Sequence, residues 1–228
     1  MPNICIIPAR GGSKRIERKN IKYFFGQPII GYSISVAIKS GLFDEVMVST
    51  DDDEIASIAI SCGASVPFLR SAKNSDDFAT TANVIDEVLA QYQEVQQKKF
   101  DYVCCIYPTA PLINITHLKE GYDLIVQHHY PTVFPAVEFS YPVWRGLTLN
   151  EEGVSKFAWP EYKNARSQDL QPIYHDAGQW YWINVRHGCV LSLENAGVVK
   201  LSEMECQDID NLSDWTLAEM KYKLLNNS

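Results

Sequence analysis

The chain opens on an apolar run, Ile4-Cys5-Ile6-Ile7, that empties into Pro8-Ala9-Arg10-Gly11-Gly12-Ser13-Lys14-Arg15, with Arg18-Lys19-Asn20 close behind. Four apolar residues in succession read as a buried strand, and a strand that ends in a glycine-rich basic turn restricts the fold to those that place such a turn at a sheet edge. Glycines let backbone N–H groups crowd against a ligand with no Cβ in the way. A cup of N–H groups with lysine and arginine beside it suits a polyphosphate. The spacing lacks the Gly-Lys-Ser/Thr ending of a P-loop and the third glycine of a dinucleotide fingerprint. The bland reading of the same residues is a basic surface turn after an edge strand.

Strand signals alternate with helical periodicity, which predicts crossover units and a mostly parallel sheet in an α/β fold. Pro28 reads as a helix start, with Ile30, Ile34, Ala37 and Ile38 on one face and Gly41 as the stop. Glu45 to Thr50 is a second strand, and Asp51 to Glu54 has the spacing of a helix cap before Ile55, Ile58, Ala59 and Cys62. A third short strand is expected over Ala64 to Leu69. Val84, Ile85, Val88, Leu89 and Tyr92 form the buried stripe of the next helix. Tyr102 to Ile106 is a continuous apolar run, as in a central strand covered on both faces, and it stops at Tyr107-Pro108-Thr109-Ala110-Pro111. A helix with Leu118, Tyr122 and Ile125 and a strand near Thr132 to Val137 follow. Periodicity fails from Glu138 to Arg166, where Tyr, Trp, Pro and Gly concentrate. This stretch reads as a β-rich inserted arm, at about 138–166, on a single domain spanning 1–228. Regular structure resumes at Gln179 to Ile183, and a last helix runs from about Ser213 with Trp215, Ala218, Tyr222 and Leu225 inward.

With 46% hydrophobic and 21% charged residues over 228 positions, a full core is available. A net charge of −8 argues against nucleic acid or a membrane surface as partner. Yet Arg10, Lys14, Arg15, Arg18, Lys19 and Lys22 crowd one loop with Glu17 the only acid, which suggests a small anionic ligand. The cysteines at 5, 62, 104, 105, 189 and 206 show no Cys-x-x-Cys spacing. Cys5, Cys104 and Cys105 lie in apolar runs and are expected to be buried and reduced. No signal peptide or membrane span is visible, and a cytoplasmic protein is expected.

In open α/β sheets ligands sit beyond the carboxyl ends of the strands. The basic loop, the polar loop before Thr80, the Tyr107 turn and Asp208-Ile209-Asp210 all fall at that edge. On extended backbone, Asp208 and Asp210 face the same way and can approach one hard cation. The same acids could instead cap the helix that follows. For Asp51, Asp52 and Asp53, helix capping is the better reading. No histidine has a partner at metal-ligand spacing, and no nucleophile-elbow context accompanies any serine.

The order Pro-Ala-Arg-Gly-Gly-Ser-Lys, with Lys-Asn shortly after, resembles the nucleotide loop of the acylneuraminate cytidylyltransferases, and the likeness runs from Ile4 to the final helix. It implies a three-layer α/β/α Rossmann-like nucleotidyltransferase fold with a small β-rich dimerisation arm. It also implies transfer of CMP from CTP to a nonulosonic acid by a magnesium-dependent homodimer. Carried over by motif, Ala9, Arg10, Gly11, Gly12, Ser13, Lys14 and Asn20 would hold the nucleotide, with Arg10 and Lys14 on the triphosphate. Arg70, Thr80 and Thr81 would meet the cytosine and ribose. Asp208 and Asp210 would hold Mg²⁺, Asp210 counting with Arg10 and Lys14 as catalytic. Arg166 resembles the arginine that meets the sugar carboxylate, from a partner subunit.

Where sialic acid enzymes resemble one another in a Gln-Pro-Thr-Ser-Pro-Leu-Arg turn, this chain has Tyr107 in place of the glutamine and Ile113 in place of the arginine. Arg166-Ser167-Gln168-Asp169-Leu170 and Tyr174-His175-Asp176-Ala177-Gly178-Gln179 look closer to the pseudaminic acid cytidylyltransferases. Tyr107, Arg166, Gln168, His175, Asp176 and Gln179 would then line the sugar site. The Gln-Gly-Asp-Glu-Pro-like turn of a KDO cytidylyltransferase is absent. The same reaction on sialic or legionaminic acid is the near alternative. A non-catalytic nucleotide sensor is the distant one, and it predicts damaged metal ligands, whereas both aspartates are present. No side chain stands out as a general base.

Overall fold

The computed structural model describes every residue except Asp77, His187, Cys189, Val190, Asn227 and Ser228. Its strands are β1 (Asn3–Pro8), β2 (Tyr23–Phe24), β3 (Gln27–Pro28), β4 (Glu45–Ser49), β5 (Tyr102–Ile106), β6 (Thr132–Glu138), β7 (Leu147–Leu149), β8 (Ser155–Phe157), β9 (Tyr174–Asp176), β10 (Trp180–Asn184) and β11 (Gly197–Leu201). The helices are α1 (Ile30–Ser40), α2 (Asp53–Ser61), α3 (Thr81–Gln96), α4 (Ile115–His128) and α5 (Leu212–Asn226). Seven strands form one sheet in the order β11-β6-β10-β5-β1-β4, with β9 beside β6.

Alternation along β1 builds the layers. Cys5 and Ile7 point to the face covered by α1, α2 and α4, where Ile30, Ile34, Ile55, Ala59, Leu118 and Ile125 pack. Ile4 and Ile6 point to the opposite face, against Ile85, Val88 and Tyr92 of α3. Strands buried on both sides must be apolar throughout, which is why β1 and β5 read as unbroken runs. Gly121 lets α4 close onto the sheet, since a Cβ there would lie 2.5 Å from the Trp180 ring. The sheet is mixed. β1 runs parallel to β4 and β5, and β11 parallel to β6, but β10 is antiparallel to both β5 and β6. Pro135, which has no N–H to give, falls on β6 between the residues that pair β10 and those that pair β9.

A third cluster binds the β2–β3 hairpin to α5, with Phe24, Ile29, Ile209, Trp215 and Ala218 buried together. Pro28 pairs Tyr23 in that hairpin instead of opening the helix, and α1 begins two residues later. Ile38 is exposed and falls outside the buried stripe. The stretch 64–69 makes a single bridge, Ser65 to Met47, in place of a strand. On α5, Leu225 is exposed and Lys221 is buried with Trp215 and Ala218. The span from 138 to 166 holds the β7–β8 hairpin and short turns, and its Trp144 packs on Trp159 and Tyr162, at 5.7 and 5.4 Å between ring centroids. Among the described residues, Cys5, Cys62, Cys104, Cys105 and Cys206 are free thiols, and no helix is long and apolar enough to cross a membrane. Cys189 lies outside the described residues.

Candidate active site

The turn after β1 is fixed from three sides. The Ala9 N–H continues the sheet by donating to the Ser49 carbonyl, at 2.9 Å. The Gly11 N–H donates to Asp51 Oδ1, at 2.9 Å, and buried Asn20 donates to the Arg10 carbonyl, at 2.9 Å. Gly11 has to be glycine, because a Cβ would stand 2.7 Å from Asp52 Oδ2. Asp52 cannot step aside freely. Its carboxylate caps α2 by accepting the Glu54 and Ile55 N–H groups and pairs with the Arg18 guanidinium. Arg18 takes a left-handed backbone, φ 51°, to reach it. Chiefly through Arg18, the Asp52 carboxyl is held down at about 2. Asp51 and Asp52 therefore shape the loop, and Asp52 caps the helix as well.

What this frame presents is a cavity of about 700 Å³ at the carboxyl edge of β1, β4 and β5. Arg10, Ser13, Lys14, Arg15, Lys19, Asn20, Arg70, Thr81, Tyr107, Asp208 and Asp210 all reach it. The three segments of the polar edge and the Asp208–Asp210 segment thus meet in one place. Five cations face an acidic pair, which is the charge pattern of a site for a polyanion held together with a cation. Ala9, Gly11 and Gly12 stand outside the lining, and the N–H groups of Ala9 and Gly11 are engaged within the protein. The loop therefore addresses the cavity mainly through its charged side chains.

Arg70 is buried and immobilised, its Nε donating to Ser49 Oγ at 3.0 Å and its Nη2 to the Ser49 carbonyl. Burial pulls its pKa down from the usual guanidinium value. Opposite, Asp210 accepts from Arg15 at 2.8 Å, with Lys19 at 3.9 Å. Lys19 also donates to the Ile209 carbonyl, at 2.6 Å. Partial desolvation, then the neighbouring Asp210 carboxylate, push Asp208 above the usual carboxylate range. Asp208, with a second carboxylate close enough to act on it, belongs to a donor set of the right chemistry for a hard cation. Among the described residues no group of three or more His, Cys, Asp or Glu is placed to hold a metal, so such an ion would need oxygens from substrate or water as well.

Tyr107 is held on three sides. Its N–H donates to the Gln179 carbonyl at 2.9 Å, its carbonyl accepts from Ser33 Oγ at 2.8 Å, and its hydroxyl lies 3.4 Å from Thr81 Oγ1. Its ring leans on Tyr181, whose hydroxyl donates to Asp176 Oδ2 at 2.5 Å. Burial raises the Tyr107 pKa, so the ring keeps its proton at neutral pH.

Other expected site residues stand elsewhere. Thr80 is exposed and caps α3, its hydroxyl engaged with Asn83 in a capping box. Gln179 is buried and donates to the Glu205 carbonyl at 2.6 Å. Arg166 pairs with Asp169 at 2.7 Å and is mostly exposed, and Gln168 sits on the same exposed turn. His175 and Asp176 line a second, largely apolar cavity of about 450 Å³ with Phe134, Ala136, Tyr174 and Val198. Asn74 and Asp76 line the main cavity without having been singled out in the sequence, where only the polar character of their loop was a signal. Arg10 donates to the Asp76 carbonyl at 2.8 Å.

The cytidylyltransferase family model matches residues 4–139. Over its whole length the chain is 43% identical to a pseudaminic acid cytidylyltransferase of Campylobacter jejuni, covering 99% of that protein. Over 95% of its length it is 34% identical to N-acylneuraminate cytidylyltransferase A of Danio rerio, covering 50% of it. Among solved structures it is similar in fold, with a TM-score of 0.70 at 15% identity and all of both chains covered, to CMP:2-keto-3-deoxy-manno-octonic acid synthetase complexed with CTP.

Proposed function

The chain belongs to the cytidylyltransferase family, and from that premise we propose that it transfers CMP from CTP to the anomeric hydroxyl of pseudaminic acid, releasing pyrophosphate. The observation that carries the reading is the single cavity in which Arg10, Lys14, Arg15, Lys19 and Arg70 face Asp208 and Asp210. The full-length likeness to pseudaminic acid enzymes supports the choice of sugar.

The reaction is an in-line attack of the sugar hydroxyl on the α-phosphorus. Such chemistry depends on positioning and on stabilising charge. Arg10 and Lys14 draw charge off the bridging and leaving oxygens as the pyrophosphate departs. Arg70, rigid on Ser49, and Thr81 meet the nucleoside end of CTP. Asp208 and Asp210 would hold Mg²⁺, which when bound supplies charge neutralisation on the phosphates. Asn20 acts through the Arg10 carbonyl and so sets the loop's shape. Tyr107 presents a ring and one protonated hydroxyl to the sugar. The apolar cavity beside His175 and Asp176 suits a sugar that has exchanged hydroxyls for methyl and acylamino groups.

Arg166 meets the sugar carboxylate from a second copy, since within one chain it lies outside the cavity, and the working form is a homodimer joined through the arm at 138–166. Tyr141, Leu147, Leu149 and Val154 are exposed there and supply the contact, while Trp144 and Trp159 pack on each other. Free thiols at the described cysteines suit a cytoplasmic enzyme.

Pyrophosphate release from CTP with pseudaminic, legionaminic and sialic acids tests the reading. The expected kcat/KM for pseudaminic acid is at least about tenfold above that for sialic acid, because extra hydroxyls desolvated without partners lose about 1–3 kcal/mol each. Preference for sialic or legionaminic acid would overturn the sugar assignment, and no release with any of them would overturn the activity.

A further inference from the structure

We infer that Lys221, which touches neither the cavity nor a reacting atom, is a positioning residue for the Asp208–Asp210 pair; the inference rests on reading that pair as the magnesium ligands. Lys221 is buried at 9% exposure on the face of α5 that also carries Trp215 and Ala218. Its ammonium donates to the Glu203 and Cys206 carbonyls, both at 2.8 Å. Among the described residues no carboxylate lies within ion-pair distance of it. Burying an ammonium with no counter-ion is unfavourable, and an apolar side chain of the same length would fill the same space. The charge is retained for those two carbonyls, which are the ends of the turn leading into Asp208.

The rest of α5 holds the other side of the acidic segment. Asp214 Oδ2 accepts the N–H groups of Asp210 and Asn211, at 2.9 and 3.0 Å. Between the two aspartates, Ile209 is fully buried against Trp215 and Ala218. Gln179 and His117 fix the same turn through the Glu205 carbonyl and carboxylate, at 2.6 and 3.0 Å. One helix face therefore sets both ends of a short extended segment whose carboxylates must stand at a fixed separation to share an ion. Removing the Lys221 ammonium takes the donor from the buried Cys206 carbonyl and from the part-buried Glu203 carbonyl. The turn then shifts to find other partners and carries Asp208 with it.

The test measures Mn²⁺ binding by electron paramagnetic resonance, with CTP present, on the full chain. Circular dichroism serves as the folding control. Lys221→Met is expected to weaken Mn²⁺ by about tenfold, the lower end of what outer-shell changes do to metal affinity. The Mg²⁺ concentration for half-maximal turnover should rise by the same factor, while the KM for CTP at saturating Mg²⁺ keeps its wild-type value. Lys223→Met, on the exposed side of the same helix, should change neither. A folded Lys221→Met with wild-type Mn²⁺ affinity would overturn the inference. If Lys221→Met does not fold, Lys221→Arg, which keeps the charge but not the geometry, should move Mn²⁺ affinity in the same direction, and an unchanged affinity would overturn the inference equally. Absence of Mn²⁺ binding by the wild-type protein would instead overturn the magnesium reading itself.

Discussion

Adding one methyl group at Gly11 probes the loop frame directly. In Gly11→Ala the new Cβ would stand 2.7 Å from Asp52 Oδ2, 3.1 Å from its Cβ and 3.3 Å from its Cγ, so turning the carboxylate alone does not clear it. If Asp52 retreats, α2 loses a cap that accepts two N–H groups, a loss of about 1 kcal/mol. The Arg18 pair goes with it, about another 0.5–1 kcal/mol for a partly exposed ion pair. The expected destabilisation is thus about 2 kcal/mol, a drop in Tm of about 4–8 °C for a chain of this size. Asp52→Ala removes the same cap and pair and takes away the Oδ2 and Cγ contacts, leaving only its Cβ at 3.1 Å for a small shift to relieve. The double variant Gly11→Ala/Asp52→Ala should therefore lose little more than Asp52→Ala alone, with a coupling of about 1–2 kcal/mol by urea denaturation, well beyond the spread of independent sites. Additive losses within about 0.5 kcal/mol would refute the steric argument. Turnover adds a second reading. If the loop yields in place of Asp52, Gly11→Ala stays stable but its kcat falls, because Arg10 and Lys14 leave their positions.

Lys14→Ala and Arg10→Ala should each lose turnover by orders of magnitude while staying folded, since one preorganised donor to transition-state charge is worth about 3–4 kcal/mol; near-normal turnover in both would remove the loop from the mechanism. Light scattering should give a dimer, and Arg166→Ala should lower affinity for the sugar with CTP affinity unchanged; a fully active monomer would refute the shared site. Acid sensitivity follows from Asp52, held down from its ordinary 3.8 to about 2 chiefly by Arg18. A depressed carboxyl contributes stability that is present above the unfolded value and is lost as pH falls through the folded one, so the loss belongs between pH 4 and 2. Because Asp52 and Arg18 are partly solvated, the contribution is about 1 kcal/mol, and Asp52→Asn should flatten that part of the stability profile.

Much of this molecule is legible in the chain because apolar residues have one strong preference. β1 and β5 had to be buried on both faces, and their ends placed the basic loop and the Tyr107 turn at one edge. Polar residues have no such single preference. Thr80 and Thr81 look alike in the sequence, yet Thr80 folds back to cap α3 and Thr81 faces the cavity. Gln179 is placed in the sugar site by resemblance of its segment to the family, but its amide ties two segments of the protein together. Lys221 falls among ordinary helix residues, and only its burial reveals it. The stretch 64–69 has strand composition but no partner beyond one bridge, and β11 leaves little trace in the sequence because its alternation of buried and exposed positions falls on a glycine and an exposed Val198 within only five residues.

The two halves of the cavity are carried by different elements, joined where Lys19 meets the Ile209 carbonyl and Ile16 packs with Ile209, and this bears on how it takes a ligand. Arg10 and Lys14 hang on the turn after β1, which Asp52 and Arg18 brace from the cap of α2, whereas Asp208 and Asp210 hang on α5. Among the described residues the direct ion pairs across the gap are Arg15 and Lys19 to Asp210. They offset the charge of Asp210, which on the proposed function would lessen its repulsion of an incoming triphosphate. On the proposed function, a phosphate chain entering with its cation would have a partner for each group it displaces: the cation for Asp210, and phosphate oxygens for Arg15 and Lys19. On that reading Asp210, Arg15 and Lys19 would each exchange one partner for another, and none of the three would have to give up its ion pair before the ligand supplied a new one.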